Sequence, residues 1–376
     1  MQNQNNQQNQ AQQRPNPPPQ QQVATVKIDP NCPNCGANLE YSPEKLGLYC
    51  EHCLGVVDIP QVPAGRFPIR ELQENTAPKW DEARTIECEN CRAKEVIPSH
   101  AKSVSCAFCG SSNVVACEDI VGLKPNSVVP FKISKQNAID AVTKWAKKKT
   151  FAPGRFKKNV TPTDIDGVYN PAFKFDATTT TRYNGVLSRV ETTTTFVRGQ
   201  AVTTSRTVRF NISGTHNGNF NNILIQACDT IKQAELNKIQ PFNTNNVNAY
   251  NDAYLYGYVS GQAKRDGMAC WGQARNQIEQ SIQKAVLAQH PGCSIVSFNA
   301  QTNYNTASYR YVLIPVYVGH FTHKNKLYNF YINGDTGRIT GKTPVSGAKV
   351  AALVGGLVVA ATGIGALILW LLGHIG

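Results

Sequence analysis

The sequence predicts an α+β chain: two small cysteine-stapled ribbons, then a mixed region of helices and antiparallel strands, then one transmembrane helix. Three observations predict it. Eight of the 12 cysteines fall in four Cys-x-x-Cys pairs, all within the first 110 residues. Between residues 119 and 345 a helix-like pattern followed by strand-like patterns appears twice. Val350 to Leu372 is a run of 23 residues without one ionisable side chain.

Residues 1–22 are almost entirely Gln, Asn and Pro. That composition buries too little apolar surface to offset chain entropy, so a disordered tail is expected over 1–28. The first ribbon is expected over 29–60, a linker carrying Pro63, Pro68 and Pro78 over 61–84, and the second ribbon over 85–118.

Cys32 and Cys35 are followed after 14 residues by Cys50 and Cys53. Cys88 and Cys91 are followed after 14 residues by Cys106 and Cys109, and the two units start 56 residues apart. This is an internal repeat. Four thiolates per unit suit tetrahedral zinc with every position filled, so two structural Zn2+ ions are expected. A redox dithiol is the competing reading, but such pairs sit singly beside a βαβ pattern. An iron–sulfur cluster also takes four cysteines, yet paired knuckles on hairpins favour zinc. Gly36 and Gly110 follow their knuckles, where positive φ turns backbone N–H groups toward sulfur. Leu54 and Arg92 hold the matching places, so those turns are expected to be built differently, with Gly55 substituting in the first. Cys117, Cys228, Cys270 and Cys293 lack the spacing and read as small buried apolar residues.

In the α+β region (119–345) Ser134 is a candidate N-cap. Behind it Ala138, Ile139, Val142, Trp145 and Ala146 share one helical face, and Pro153-Gly154 ends the helix. Strands are expected around Tyr169 to Asp176 and from Thr178 to Ile212, rich in Thr, Val and Phe. A second helix over Gln273 to Gln289 aligns Ile278, Ile282, Ala285 and Val286. Strands return at Tyr309 to Val318 and as a hairpin from Lys326 to Thr340 around Asn333-Gly334-Asp335-Thr336-Gly337. The repeated order suggests a duplicated helix-plus-strand unit, with halves over 119–230 and 250–345.

The formal net charge is +13. From Leu123 to Val160 ten basic residues face one acid, Asp140, which places +9 in a tenth of the chain. Lys144, Lys147, Lys148, Lys149, Arg155, Lys157 and Lys158 form the candidate patch. It could be a solvated helix face, or it could meet anionic lipid, an acidic protein or nucleic acid.

The apolar run, 350–372, is long enough to cross a hydrocarbon core as a helix. Ala352, Gly356 and Ala360 repeat every fourth residue, as do Ala361 and Gly365, an interval that lets membrane helices approach and so permits oligomerisation or pairing with a partner's helix. No secretory signal opens the chain, and Arg338, Lys342 and Lys349 precede the run. The positive-inside bias therefore puts the N-terminal part in the cytoplasm of a single-pass protein. Paired cysteines without a disulfide pattern agree with a reducing compartment.

The chain resembles the bacterial membrane-anchored proteins labelled TFIIB-type zinc-ribbon-containing. The likeness rests on Cys32-Pro33-Asn34-Cys35-Gly36, Leu48-Tyr49-Cys50-Glu51-His52-Cys53 and Cys106-Ala107-Phe108-Cys109-Gly110. Val128-Val129-Pro130-Phe131, Tyr169-Asn170-Pro171, Leu313-Ile314-Pro315-Val316-Tyr317 and Tyr328 to Arg338 extend it. It covers roughly residues 30–376, and matches least over 177–252. The resemblance implies a docking platform in the bacterial cell membrane, associated with phage-shock-protein-A-like membrane-stress proteins. No catalytic constellation is visible, and no enzyme is expected. His320 and His323 fall on a strand or turn, lack the His-Glu-x-x-His helix pattern and read most simply as exposed turn residues. Asp164 and Asp166, beside Pro162 and Gly167, also read as turn residues. No phosphate loop of the Gly-x4-Gly-Lys type occurs. The expected function is a zinc-ribbon scaffold that recruits proteins to the membrane, and the alternative is a membrane-anchored nucleic-acid binder.

Overall fold

The computed structural model describes residues 27–75, 84–97, 106–108, 111, 114–117, 123–158, 162, 164–228, 231–245, 247–324 and 326–373. The tail expected over 1–28 lies outside them except for its last two residues. Three long strands organise the rest: Asp164–Val197, Gln200–Gln226 and Cys293–His323. The first lies between the other two and pairs antiparallel with both.

The first strand changes character along its length. From Val168 to Phe175 it is buried on both faces. Further out it alternates: Thr179, Thr181 and Leu187 are buried, while Arg182 and Asn184 are exposed. Beyond Arg189 the two faces are largely open to solvent. At about 3.3 Å per residue its length reaches about 110 Å. The inner part is the spine of the body, and the outer part is an arm. Threonine suits both, because a β-branched side chain fits the pleated surface. Across the arm Thr178 bonds Thr306 and Thr181 bonds Thr302.

The helix Gly267–Ala288 covers one face of the arm's base. Asp266 caps it by accepting from the Ala269 N–H. Ile278, Ile282 and Val286 are buried against the sheet, in one cluster with Phe175 and Tyr309. The third strand stops pairing at Cys293, opposite Arg189. Beyond that point only a two-stranded tip remains, and Val190, Phe196, Val197 and Val202 on it are exposed. The tip turns at Arg198-Gly199, where φ is 53° and 81°. Two positive φ values mark the hairpin turn whose twist matches the strands.

Several expectations change here. The strands predicted over 169–176 and 178–212 join into the continuous strand Asp164–Val197, which turns at 198 and returns as Gln200–Gln226. The turn escapes notice because arginine, not Asn or Gly, takes its first central position. The third strand begins at Cys293, not Tyr309. The second helix starts at Gly267, before the predicted Gln273. Asp164 and Asp166 are not turn residues, for they open the first strand opposite His320 and Val318. Of the strand or turn open to His320 and His323, the structure has the strand.

The two proline segments meet directly: Tyr169 pairs with Pro315 and Pro171 with Leu313. The two helix-plus-strand stretches therefore share one sheet. Strands outweigh helices, so the fold is a strand-dominated mixed α/β arrangement with a large sheet.

The expected linker over 61–84 is woven into the body where it is described. Phe67–Pro68 pairs with Ser308 and Tyr309, and the helix Ile69–Gln73 buries Ile69 and Leu72. The second ribbon extends the sheet itself. Its strand Lys94–Ile97 pairs with Val259–Gly261, which runs parallel to the first long strand at Val168 and Tyr169. The first ribbon keeps its own three-stranded sheet but shares a core with the body. Tyr41 donates to the Phe131 carbonyl at 3.0 Å, and its backbone N–H donates to Tyr256 at 2.8 Å.

This division gives a contrast to measure. Ile282→Ala should cost about 2–5 kcal/mol of stability, the usual range for emptying a core site. Phe196→Ser, at the bare tip, should change it by no more than about 0.5 kcal/mol. Urea unfolding followed by fluorescence checks both.

Candidate metal centres and the basic foot of the tail helix

In the first ribbon the four sulfurs of Cys32, Cys35, Cys50 and Cys53 lie within 4.8 Å of one another. Cys32 to Cys53 and Cys35 to Cys50 are 3.5 Å apart. Metal–sulfur bonds of about 2.3 Å place tetrahedral sulfurs about 3.8 Å apart, so the set is near that geometry before any ion is added. In the second ribbon Cys88, Cys91 and Cys106 make the same cluster, with Cys91 and Cys106 3.6 Å apart. Cys109 lies outside the described residues. Both clusters are geometrically able to hold a metal ion.

Backbone bonds explain why. In every knuckle the first cysteine's N–H donates to the carbonyl five residues on: Cys32 to Ala37, Cys50 to Gly55, Cys88 to Ala93, Cys106 to Ser111. Its own carbonyl accepts from the residue four on, which is Gly36, Leu54 or Arg92 in the three knuckles described there. This corrects the expectation that the knuckles of Leu54 and Arg92 are built differently. Leu54 has φ 61° and Arg92 58°, beside 73° for Gly36. The ring of hydrogen bonds imposes the left-handed residue whatever its side chain. Gly55 serves otherwise: a Cβ there would lie 3.3 Å from the Cys53 sulfur and 3.1 Å from the Asn34 amide nitrogen.

The N–H of Asn34 aimed at Cys32 is the main cause that lowers this thiol to about 7, against desolvation. Cys35 is pushed up to about 12; the Ala37 N–H lowers it, but desolvation and the neighbouring thiols outweigh that. Burial repeats between the units, since Cys32, Cys50, Cys88 and Cys106 are all buried. Glu95 is a neighbour that the cysteine spacing does not reveal. It is buried, accepts from the Ala107 N–H at 3.0 Å, and its carboxyl is raised chiefly by that burial. Among the other cysteines, Cys228 and Cys270 are buried as expected, but Cys293 is partly exposed at the start of its strand, and the Cys117 side chain lies outside the described residues.

The basic segment forms two helices, Lys135–Lys147 and Gly154–Lys158. Ser134 caps the first through the Asn137 N–H, and Ala138, Val142 and Ala146 are buried. Lys144, Lys147 and Lys148 are left exposed, and Lys149 lies 4.4 Å over the Trp145 ring. In the short helix Phe156 is buried edge-on to Phe321, at 5.3 Å, which leaves Arg155 and Lys158 exposed and Lys157 partly so. Five of the seven cations therefore sit on two consecutive helices, and Lys148 and Lys149 follow directly on the first.

One C-terminal helix, Gly347–Gly373, is long and apolar enough to cross a membrane. Leu353, Val354, Leu357, Val358, Val359 and Ile364 are all exposed on it. Ala352, Gly356, Ala360 and Ala361 are exposed and Gly365 partly so, with no neighbour at the two glycines. Its foot is bonded to the basic segment. Lys349 Nζ donates to the carbonyls of Ala152 (2.8 Å) and Thr150 (3.3 Å), and Ser346 N–H donates to Phe151 at 2.8 Å.

Over 334 residues the chain is 28% identical to an uncharacterized protein, YdjG, of Bacillus subtilis strain 168, a likeness covering 88% of this chain and 94% of that one. No family model matches the chain, and no solved structure matches it significantly.

Two measurements follow from the knuckles. Cys50→Ser should lower bound metal from two ions per chain toward one, read by native mass spectrometry. Leu54→Gly should raise stability by up to about 1 kcal/mol, because it removes a left-handed penalty of about 1–2 kcal/mol and adds a smaller entropic cost. Thermal unfolding of the metal-loaded protein checks the sign.

Proposed function

We propose that this protein is a membrane-tethered scaffold. Two structural zinc ions staple its head, the tail helix crosses the bacterial cell membrane once, and the head stays on the cytoplasmic side. The observation that carries the reading is the bonded foot, where Ser346 and Lys349 meet Thr150, Phe151 and Ala152. A helix with apolar side chains bare on all sides needs lipid around it. Its foot then holds Lys144, Lys147, Lys148, Lys149, Arg155, Lys157 and Lys158 near the bilayer surface, where each basic residue contributes about 1 kcal/mol on anionic lipid. This position favours lipid over nucleic acid as the partner of the patch. Closed four-thiolate sites leave no open position for substrate, which suits a structural role and a non-enzymatic head. The small residues of the tail helix supply a surface for pairing with another membrane helix.

The long strands add reach. They run from the foot, where Asp164 pairs with His320, to the bare tip at Arg198-Gly199. A tip so far from the bilayer suits capture of cytoplasmic partners, with phage-shock-protein-A-like membrane-stress proteins the proposed class. A chain anchored by this helix should stay with vesicles after carbonate washing, and appearance in the supernatant would end the tether. Crosslinking in native membranes should return a small specific set of membrane-stress proteins; a set equal to that of an unrelated tail-anchored control would end the scaffold.

A further inference from the structure

A cavity of about 530 Å³ lies at the foot of the tail helix. Three separate segments wall it: the start of the short basic helix with Arg155, the hairpin turn with His323, Lys324 and Lys326, and the stretch leading into Gly347. None of the seven cations discussed above except Arg155 belongs to it. Among the residues that line it there is no carboxylate. Arg155, Lys324 and Lys326 all line it and are exposed. Lys324 holds φ 50°, a left-handed turn position that Gly or Asn occupies more easily. The chain keeps a cation there at a conformational cost. Three cations lining one concavity, with no carboxylate in the same lining, favour an anion there.

We propose that this cavity binds the phosphate of an anionic lipid headgroup. The inference rests on the membrane reading above and adds a specific site to it. A guanidinium and two ammonium groups suit phosphate: the first offers a planar fork, the others point charges. The surroundings decide the source of the phosphate. Val345, which lines the cavity, is 65% exposed. An apolar side chain bare in the wall of a cationic cavity, at the start of a bare apolar helix, fits a headgroup whose acyl chains continue along that helix. Free phosphate needs no such border.

The test uses the full chain purified in mild detergent. Native mass spectrometry follows retention of phosphatidylglycerol against phosphatidylcholine. R155Q/K324Q/K326Q should weaken phosphatidylglycerol retention about fivefold per charge removed. K232Q/R275Q/K284Q removes equal charge from elsewhere on the head and should retain the lipid as the unaltered chain does. Zinc content and carbonate-resistant insertion, both unchanged, certify that the cavity variant is folded and anchored. Equal losses in both variants would reduce the effect to diffuse attraction and overturn the site. No loss in the cavity variant would overturn it too, as would full displacement of the lipid by inorganic phosphate. Failure of the unaltered chain to resist carbonate would instead remove the tether, a separately visible result.

Discussion

Everything else in this molecule hangs on one antiparallel pairing, that of Asp164–Val197 with Cys293–His323. It begins at Asp164 opposite His320 and holds to Arg189 opposite Cys293, with two register shifts on the way. Because strand pairing fixes both direction and spacing, it also fixes where the ends fall. At one end the first strand follows the short basic helix, and the third leads into the hairpin turn and then the tail helix. At the other end the sheet thins to two strands and turns. The foot of the tail helix and the bare tip fall at opposite ends of the same ladder. The ribbons are attached to it as well, the second through Val259–Gly261 and the first through the aromatic cluster of Tyr41, Phe131, Tyr254 and Tyr317.

The metal knuckles follow a different logic, local and nearly independent of side chain. Four closures by the same backbone bond, from residues as different as Ala37, Gly55, Ala93 and Ser111, show that cysteine spacing and main-chain geometry suffice. That is why the ligand sets are readable from spacing alone. It is also why glycine is a poor guide to how the knuckles turn. A left-handed Leu54, 67% exposed, pays no packing penalty and costs only its backbone conformation.

What the sequence reveals and what it conceals divide along the same line. Local signals survive: the Ser134 cap, the faces of both long helices, the Asn333-Gly334 turn where Asn333 Oδ1 accepts from Asp335 and Thr336, and the apolar tail. Nonlocal ones do not. No pattern within Lys94–Ile97 announces that the second ribbon joins the main sheet, and none in 61–84 that it strands against Tyr309. Threonine-rich alternation reads as strand but says nothing of how far the strand extends. Glu95 and the lysines of the hairpin turn become visible as members of sites only once distant segments are brought together.

The basic foot shows how the two kinds of information combine. Composition identifies Leu123 to Val160 as unusually charged, and hydropathy identifies the tail helix, but nearly 200 residues separate Thr150 from Lys349. Charge on a solvated helix has no preferred partner. The backbone carbonyls between the two basic helices are bonded to the root of the apolar helix, so the charge lies beside it. Two carbonyls taken by Lys349 and one by Ser346 turn a compositional bias into a located surface. The exposed apolar side chains begin at the first turns of the helix, with Val350 and Leu353, directly beyond those bonds. If that helix crosses a membrane, the boundary between polar and apolar solvent falls within a turn or two of the cations.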